Sequence, residues 1–396
     1  MSPLPPLDSM ACLDVRRIHQ WLAEQTAGMV DDVSLLVGLE TPSDNVMLLD
    51  AGLVRIESWV TERLGPPGHR TAWASNDYGD VLMLDYPGTG TNRLVALAHY
   101  DTVFDTGTVQ ARPVCVDGDV VRGPGIFDMK GGLVQLVWAV RALDRLGVPR
   151  PCVRLVLNGD EEIGSPFSRA ILEDVSRGAD AALILESSVD GAVKTARKGV
   201  GLFRVTATGV EAHAGLEPEL GASAVDEIAR VVIALHGGAD LDQGTSINVG
   251  VVRGGSRPNV LAGAATADLD VRVSSATEQA RVDDLLASLR PRDERVRLEL
   301  SGGWNRPVMV RTDGIAQMYE LARAAAGQLQ VDLHEASVGG ASDGNFVAAM
   351  GIPVLDGLGA VGAGAHARQE WISIARMVER AALAAALIAV FVHRDE

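Results

Sequence analysis

Cysteine is scarce in this chain: Cys12, Cys115 and Cys152 are the only three in 396 residues, far apart and without Cys-x-x-Cys spacing. So few and so dispersed, they exclude a disulfide framework and a thiolate zinc finger, and they are expected to be buried free thiols. Long apolar runs are also lacking. No stretch of eighteen apolar residues occurs, and the opening MSPLPPLDSMACLDVRR has no basic start followed by an apolar segment. Neither a membrane span nor a secretory leader is therefore expected, and the chain is read as soluble and cytoplasmic. Positive charge is in deficit: Lys+Arg 35 against Asp+Glu 52 leaves a formal −17. That balance argues against nucleic acid or an anionic membrane as the main partner. Only Lys130, Lys194 and Lys198 are lysines, so nearly all the positive charge is arginine, as a biased base composition would produce. Familiar catalytic signatures are missing as well. No cysteine stands in a protease-like setting, and the glycine-rich stretches 339–344 and 357–364 lack the Lys-Ser/Thr ending of a phosphate loop.

What is present is a large apolar fraction, 47%, on a length that predicts two or three structural units around a sizeable core rather than disorder. Residues 14–64 have helical spacing, broken at Thr41-Pro42-Ser43 and closed by Gly65-Pro66-Pro67-Gly68. The pattern then changes to short apolar runs at 81–85, 94–98, 153–157 and 181–185, with an amphipathic helix over 133–146. Such alternation predicts an α/β layer with a mixed, mostly parallel sheet flanked by helices, whose sites form at the carboxyl ends of strands. Residues 199–303 read differently, as strand 200–208, helix 223–235, strands 246–252 and 264–273, helix 277–289 and strand 296–300. This β-α-β-β-α-β order is the split arrangement of a ferredoxin-like α+β module. The expected division is a catalytic domain over 1–198 and 306–396, ending in an Ala-rich helix after Ile374, with an inserted domain over 199–305. No internal repeat occurs.

The informative residues fall where apolar runs end. The run 94–98 delivers His99-Tyr100-Asp101, and residues two apart on an extended segment share a face, so the Asp101 carboxylate can accept from the His99 ring. A metal-binding histidine needs such a partner to fix its tautomer. Glycines on both sides of Asp128 in GPGIFDMKGG suggest a constrained turn presenting it, against the alternative of a helix-capping acid. The run 153–157 ends in Asn158-Gly159-Asp160-Glu161-Glu162. Adjacent glutamates on extended backbone point opposite ways, so one could bind metal while the other serves as general base; the alternative is a solvated charge cluster. The run 181–185 ends at Glu186, and a Gly/Ala-rich loop after 352–355 ends at His366. Two histidines and three or four carboxylates without cysteine suit zinc, with cobalt or manganese as substitutes. Their number suggests two ions, with Asp128 as the bridge.

These residues resemble the co-catalytic two-zinc exopeptidases and deacylases, the family of glutamate carboxypeptidase, aminoacylase, acetylornithine deacetylase and succinyl-diaminopimelate desuccinylase. The matching motifs are HYDTV (99–103), GPGIFDMKGG (123–132), NGDEEIGS (158–165), LILESS (183–188), AHAG (212–215), SRPNV (256–260), GGASDGN (339–345) and GAHARQE (364–370), in the family's order. The resemblance implies two zinc ions per subunit, His99 and Glu186 holding one, Glu162 and His366 the other, and Asp128 bridging them. It implies Asp101 as orienter of His99, Glu161 as general base, and a cis peptide after Asp128. It also implies that the inserted module is a lid and dimerisation domain, that His213 stabilises the oxyanion of a partner subunit, and that Asn259 and Arg272 bind the substrate's free carboxylate with Gly340 in a backbone-contact loop. Glutamate at 186 resembles the carboxypeptidase and aminoacylase branch. Lys194 and Arg306 most resemble the glutamate carboxypeptidases, where two cations would read a second substrate carboxylate. The expected activity is hydrolysis of an N-acyl or peptidyl amino acid by a homodimer, with a neutral-substrate deacylase or dipeptidase as the alternative in the same class. A catalytically silent binding protein is the alternative in another class, and it would require a lost ligand or base.

Overall fold

The computed structural model describes residues 4–392. They divide into two compact units: residues up to Ala196 with Arg311–Ser337 and those from Ser342 onward, and Arg197–Val310 with Val338–Ala341.

In the first unit six strands form one sheet in the order 69–73, 81–86, 152–158, 93–99, 181–184, 354–355. The first two joins are antiparallel and the other three parallel. The central strands are near-continuous apolar runs because helices cover both faces of a parallel sheet; Leu94, Val95, Ala96, Leu97 and Ala98 are all buried. Helix Gly131–Leu146 is buried on nearly every side and packs against the Ala-rich helix Ile374–Val390. Its end is set by Gly147, at φ 65°. Side chains of Asp14, Asn45, Thr312 and Ser373 accept the backbone N–H three residues on and so cap their helices.

The helical region expected over 14–64 is three helices, Val15–Glu24, Thr26–Gly38 and Val46–Leu64. The break at Thr41-Pro42-Ser43 docks on the segment after His99. Thr102 N donates to Thr41 O at 2.9 Å, Ser43 N donates to Thr102 O at 3.1 Å, and Thr41 Oγ1 donates to Tyr100 O at 2.6 Å. The expectation of buried thiols is corrected: Cys12 and Cys115 are exposed and Cys152 is half-buried. Cys12 ends a short turn before the first helix, and Cys115 lies on the fully exposed strand Cys115–Asp117.

The second unit is an antiparallel sheet of Ser246–Gly254, Ala264–Val273, Gly199–Thr208 and Arg297–Arg306, in that order, with helices Ala224–Gly237 and Ala276–Ser288. Alternate residues Ala265, Ala267, Leu269, Val271 and Val273 are buried against Ile228, Val231 and Val282, the period-2 pattern of a sheet covered on one face. The last strand, expected to end at Leu300, runs on to Arg306 because residues 301–304 keep pairing with 201–204 and Trp304 packs edge-on against Phe203 at 5.6 Å. Among the described residues no helix is long and apolar enough to cross a membrane.

Candidate metal centre

Parallel register aligns the carboxyl ends of three strands. His99 pairs with Asn158, and Leu97 with Ile184. The chain therefore emerges at one edge as His99, as the tight turn Glu161–Ile163 and as Glu186. The two glutamates lie on this turn, not on the extended backbone that the sequence suggested. Asp128 is presented from the turn after Gly125, whose φ of 71° a side chain would oppose, and the Asp128–Met129 peptide bond is cis. His366 itself sits at φ 60°, in the left-handed region that few non-glycine residues occupy.

Side-chain distances bring these groups together. His99 Nε2 lies 3.4 Å from Asp128 Oδ1 and 3.5 Å from Glu186 Oε1. His366 Nε2 lies 3.0 Å from Glu162 Oε2 and 3.4 Å from Asp128 Oδ2. Each oxygen of Asp128 thus faces a different histidine. Ligand atoms of His99, Glu161 and Glu186 lie within 4.8 Å of one another, and so do those of Asp128, Glu162 and His366. Glu162 Oε1 is buried with no hydrogen-bond partner among the described residues. A buried anionic oxygen without a donor is costly, and a divalent cation would complete its surroundings. The nitrogen and oxygen donors and this orphaned atom fit a pair of metal ions.

Electrostatics agree. Burial by itself would depress the His99 ring, but the carboxylates of Asp101, Asp128 and Glu186 hold it well above its usual value. Asp128 and Glu162 push His366 up to about 10. Burial raises the Glu162 carboxyl, whereas bonds to His366 and His99 hold Asp128 well below the carboxylate range despite its burial. The cluster draws positive charge, and in the metal-free protein protons on the histidines provide it.

The surrounding contacts explain the geometry. His99 Nδ1 is 3.0 Å from the backbone carbonyl of Asp101 and 3.4 Å from its carboxylate, so the main chain is the nearer acceptor. The Asp101 carboxylate instead accepts from Glu161 N at 3.2 Å, Glu162 N at 3.1 Å and Ser43 Oγ at 2.8 Å. Asp343 accepts from Asn158 Nδ2 at 2.8 Å and Ser165 Oγ at 2.6 Å, bracing the same turn. Glu370 was assigned no role from the sequence. It is buried, and it accepts the backbone N–H of Gly125, Phe127 and Asp128 at 2.8, 2.7 and 2.9 Å. Burial raises its carboxyl to about 7, although those bonds act to lower it. No local pattern marked it, because the donors that it accepts from lie more than two hundred residues away. The glycine-rich segments have a packing role. A Cβ on Gly132 would come 2.0 Å from the Leu185 carbonyl oxygen, and one on Gly359 would come 2.1 Å from it, so glycine on both sides admits the strand end that carries Glu186.

The other expected residues are placed as follows. Lys194 is buried on the strand Val193–Arg197 in the first unit, and its charge contributes to lowering Asp128. In the second unit the segment of His213 pairs with that of Asn259: His213 bridges Val260, and Ala214 N donates to Asn259 O at 3.0 Å. His213 Nδ1 accepts from the N–H of Gly215 and Leu216, both at 3.1 Å, which leaves the ring proton of the neutral form on Nε2. Arg272 holds Asp270 in a two-pronged pair at 2.6 and 2.7 Å. The Gly340 carbonyl accepts from Arg197 Nη1 at 3.1 Å, and Arg306 is buried at the end of its strand.

A family model described as Peptidase family M20/M25/M40 matches residues 95–390. Carboxypeptidase G2 of Pseudomonas sp. (strain RS-16) is 28% identical over 389 residues, covering 94% of this chain and 91% of that protein. Among solved structures, aminopeptidase PepT from Bacillus cereus ATCC 10987 matches with a TM-score of 0.77 at 21% identity, covering 93% of this chain and 99% of that one. The Bacillus subtilis YXEP protein, described as a dinuclear metal-binding peptidase from the M20 family, matches with a TM-score of 0.65 at 15% identity, covering 93% and 99%. These two likenesses bear on the fold, which is shared almost end to end. Since the family model spans most of the chain, the protein belongs to Peptidase family M20/M25/M40 and is a metallohydrolase of the kind that includes carboxypeptidases, deacylases and dipeptidases.

Proposed function

We propose that this protein hydrolyses the amide bond of an N-acyl or N-peptidyl amino acid that keeps a free carboxylate, with two zinc ions per chain and cobalt or manganese as substitutes. The observation that carries this reading is Asp128, whose two oxygens face His99 and His366 beside the Glu161–Glu162 turn. His99 and Glu186 would hold one ion, Glu162 and His366 the other, and Asp128 both. When bound, such ions would polarise the scissile carbonyl and acidify a water. Glu161 would take a proton from the attacking water and return it to the departing amine. Asp101 positions this base by holding the backbone of Glu161 and Glu162. His213 would offer its Nε2 proton to the oxygen that becomes negative. Asn259 and Arg272 would anchor the substrate carboxylate, with Gly340 as a main-chain contact. Arg272 would do so while sharing its guanidinium with Asp270.

The test is Glu161→Gln in metal-loaded enzyme. Metal content should hold at two per chain while kcat falls roughly 10²–10⁴-fold. Wild-type turnover would remove Glu161 from the role of base.

A glutamate-directed carboxypeptidase is the finer proposal, with Lys194 and Arg306 reading the second carboxylate. Lys194→Ala and Arg306→Ala should then impair acyl-glutamate hydrolysis selectively. The burial of both cations, 6% and 3% exposed, favours a second reading: a deacylase or dipeptidase for neutral residues. Equal losses on all substrates would support it. We also propose a homodimer formed through the second unit, where Leu216, Ile233 and Leu241 are each at least 73% exposed; sedimentation would decide. The exposed thiols of Cys12 and Cys115 fit a reducing, cytoplasmic setting.

A further inference from the structure

We infer that a recess of about 260 Å³ in the first unit receives the acyl side of the scissile amide, and that it selects apolar acyl groups and rejects anionic ones. The inference rests on the hydrolase reading above and assigns a specificity site within it. Pro42, Val103, Phe104 and Ile163 give the recess its apolar lining, and the exposed carboxylates of Asp44 and Asp105 also line it. Glu162 lines it too, so the recess adjoins the proposed metal centre.

Its walls come from the segments that build that centre. Val103–Asp105 directly follow Asp101-Thr102, and Ile163 is the third residue of the Glu161–Glu162 turn. Pro42 lies in the helix break that pairs with Thr102 through backbone hydrogen bonds. The recess is therefore built on the segments that flank Asp101, whose carboxylate accepts from Ser43 Oγ at 2.8 Å and from Glu161 N at 3.2 Å. Val103 and Ile163 remain 41% and 47% exposed beside a strongly polar cluster. Large apolar side chains kept open next to a reactive centre are what an apolar substrate group would cover.

Chemistry decides which side of the substrate fits. An amide of this class has an amino-acid side, which carries a free carboxylate, and an acyl side. Among the described residues no lysine or arginine lines the recess, and its charged groups are all carboxylates. Arg112 stacks over the Phe104 ring at 4.9 Å and donates Nη1 to the Arg368 carbonyl at 3.0 Å, but it does not line the recess. A carboxylate placed here would face Asp44 and Asp105 with no lysine or arginine to pair it, so the acyl side is assigned to the recess. By the same reasoning a dicarboxylic acyl group such as succinyl is refused, whereas alkyl, aryl or amine-bearing groups are accepted.

The test compares acetyl-, butyryl-, benzoyl- and succinyl- derivatives of one amino acid, assayed with zinc-loaded wild-type enzyme and with the Asp44→Lys/Asp105→Lys double variant, whose changes lie on exposed side chains. In wild type, kcat/KM should rise at least about tenfold from acetyl to benzoyl, by the discrimination typical of a hydrophobic pocket. Succinyl should fall about tenfold below butyryl, which has the same number of carbons. The double variant should raise the ratio of succinyl to butyryl kcat/KM severalfold. Hydrolysis with no acyl preference, or equal effects of charge reversal on butyryl and succinyl, would overturn the assignment. Calorimetry with the free acids separates this result from failure of the hydrolase reading. If no N-acyl amino acid is cleaved, tighter binding of benzoate than of succinate, reversed in the double variant, sustains the recess as a site. Indiscriminate or absent binding in that case refutes it.

Discussion

Loading metal into the stripped protein should release protons, in a number that the side-chain geometry sets. His366 offers Nε2 to Asp128 and Glu162, which push its pKa up to about 10, and His99 is held well above its usual value by three carboxylates. Near neutral pH both rings therefore carry a proton on a nitrogen that a metal needs as a lone pair. Filling both sites should displace about two protons per chain, and ionisation of a bound water would add up to one more. The apparent affinity at the His366 site should rise about tenfold per pH unit through neutrality and flatten as pH nears 10. In the metal-free protein the sign is opposite. The contribution of protonated His366 to stability is full below about 6.5 and is lost as pH rises through about 10, because its folded pKa is the higher one. Alkaline pH thus weakens the stripped fold while strengthening metal binding. Calorimetric titration with zinc at pH 7 in two buffers of different ionisation heat counts the protons, and His366→Gln should lower the count by about one. Release of fewer than about 0.5 protons per chain, or an affinity flat across neutral pH, would refute the arrangement of these carboxylates around the histidines.

Three further outcomes are expected. Glu370→Ala leaves three backbone N–H groups without their acceptor and should destabilise the stripped protein by about 2–4 kcal/mol, after allowing for relief of a buried charge; it should also weaken zinc retention, and an unchanged melting temperature would count against the cradle. Asp101→Asn presents an amide N–H to one of the Glu161 and Glu162 N–H groups, so kcat should fall with a stability loss of only ~1–2 kcal/mol, read from rates and urea unfolding together. Gly132→Ala separates two opposing effects. Helix propensity predicts a gain of up to ~1 kcal/mol, whereas a Cβ 2.0 Å from the Leu185 carbonyl oxygen predicts a loss of about 1–3 kcal/mol with lower zinc content. A stabilised variant with full zinc would show that the close approach is not needed.

Legibility in the sequence followed the range of the interactions involved. Where an apolar run stops at a charged or histidine residue, as at His99, Glu186 and the Glu161–Glu162 pair, the cost of burying that group marks the position locally. These positions, with Asp128 and His366, are the ones that the fold gathers. The Glu370 cradle was not legible, because its carboxylate serves donors more than two hundred residues away. Nor were the actual partners of Asp101, since they come from a turn sixty residues on. The glycines at 132 and 359 read as turn or loop residues, yet what requires them is the closeness of the Leu185 carbonyl.

By itself the sequence determined the apolar central strands with the helix over 133–146, the strand and helix order of residues 199–303, and the types of candidate ligand, since apolar period and residue chemistry act over a few neighbours. Tertiary structure alone decided which oxygen faces which histidine, which thiols reach solvent, and where an apolar recess opens beside Glu162. Those outcomes depend on how distant segments pack, and packing is set by contacts that no local pattern contains.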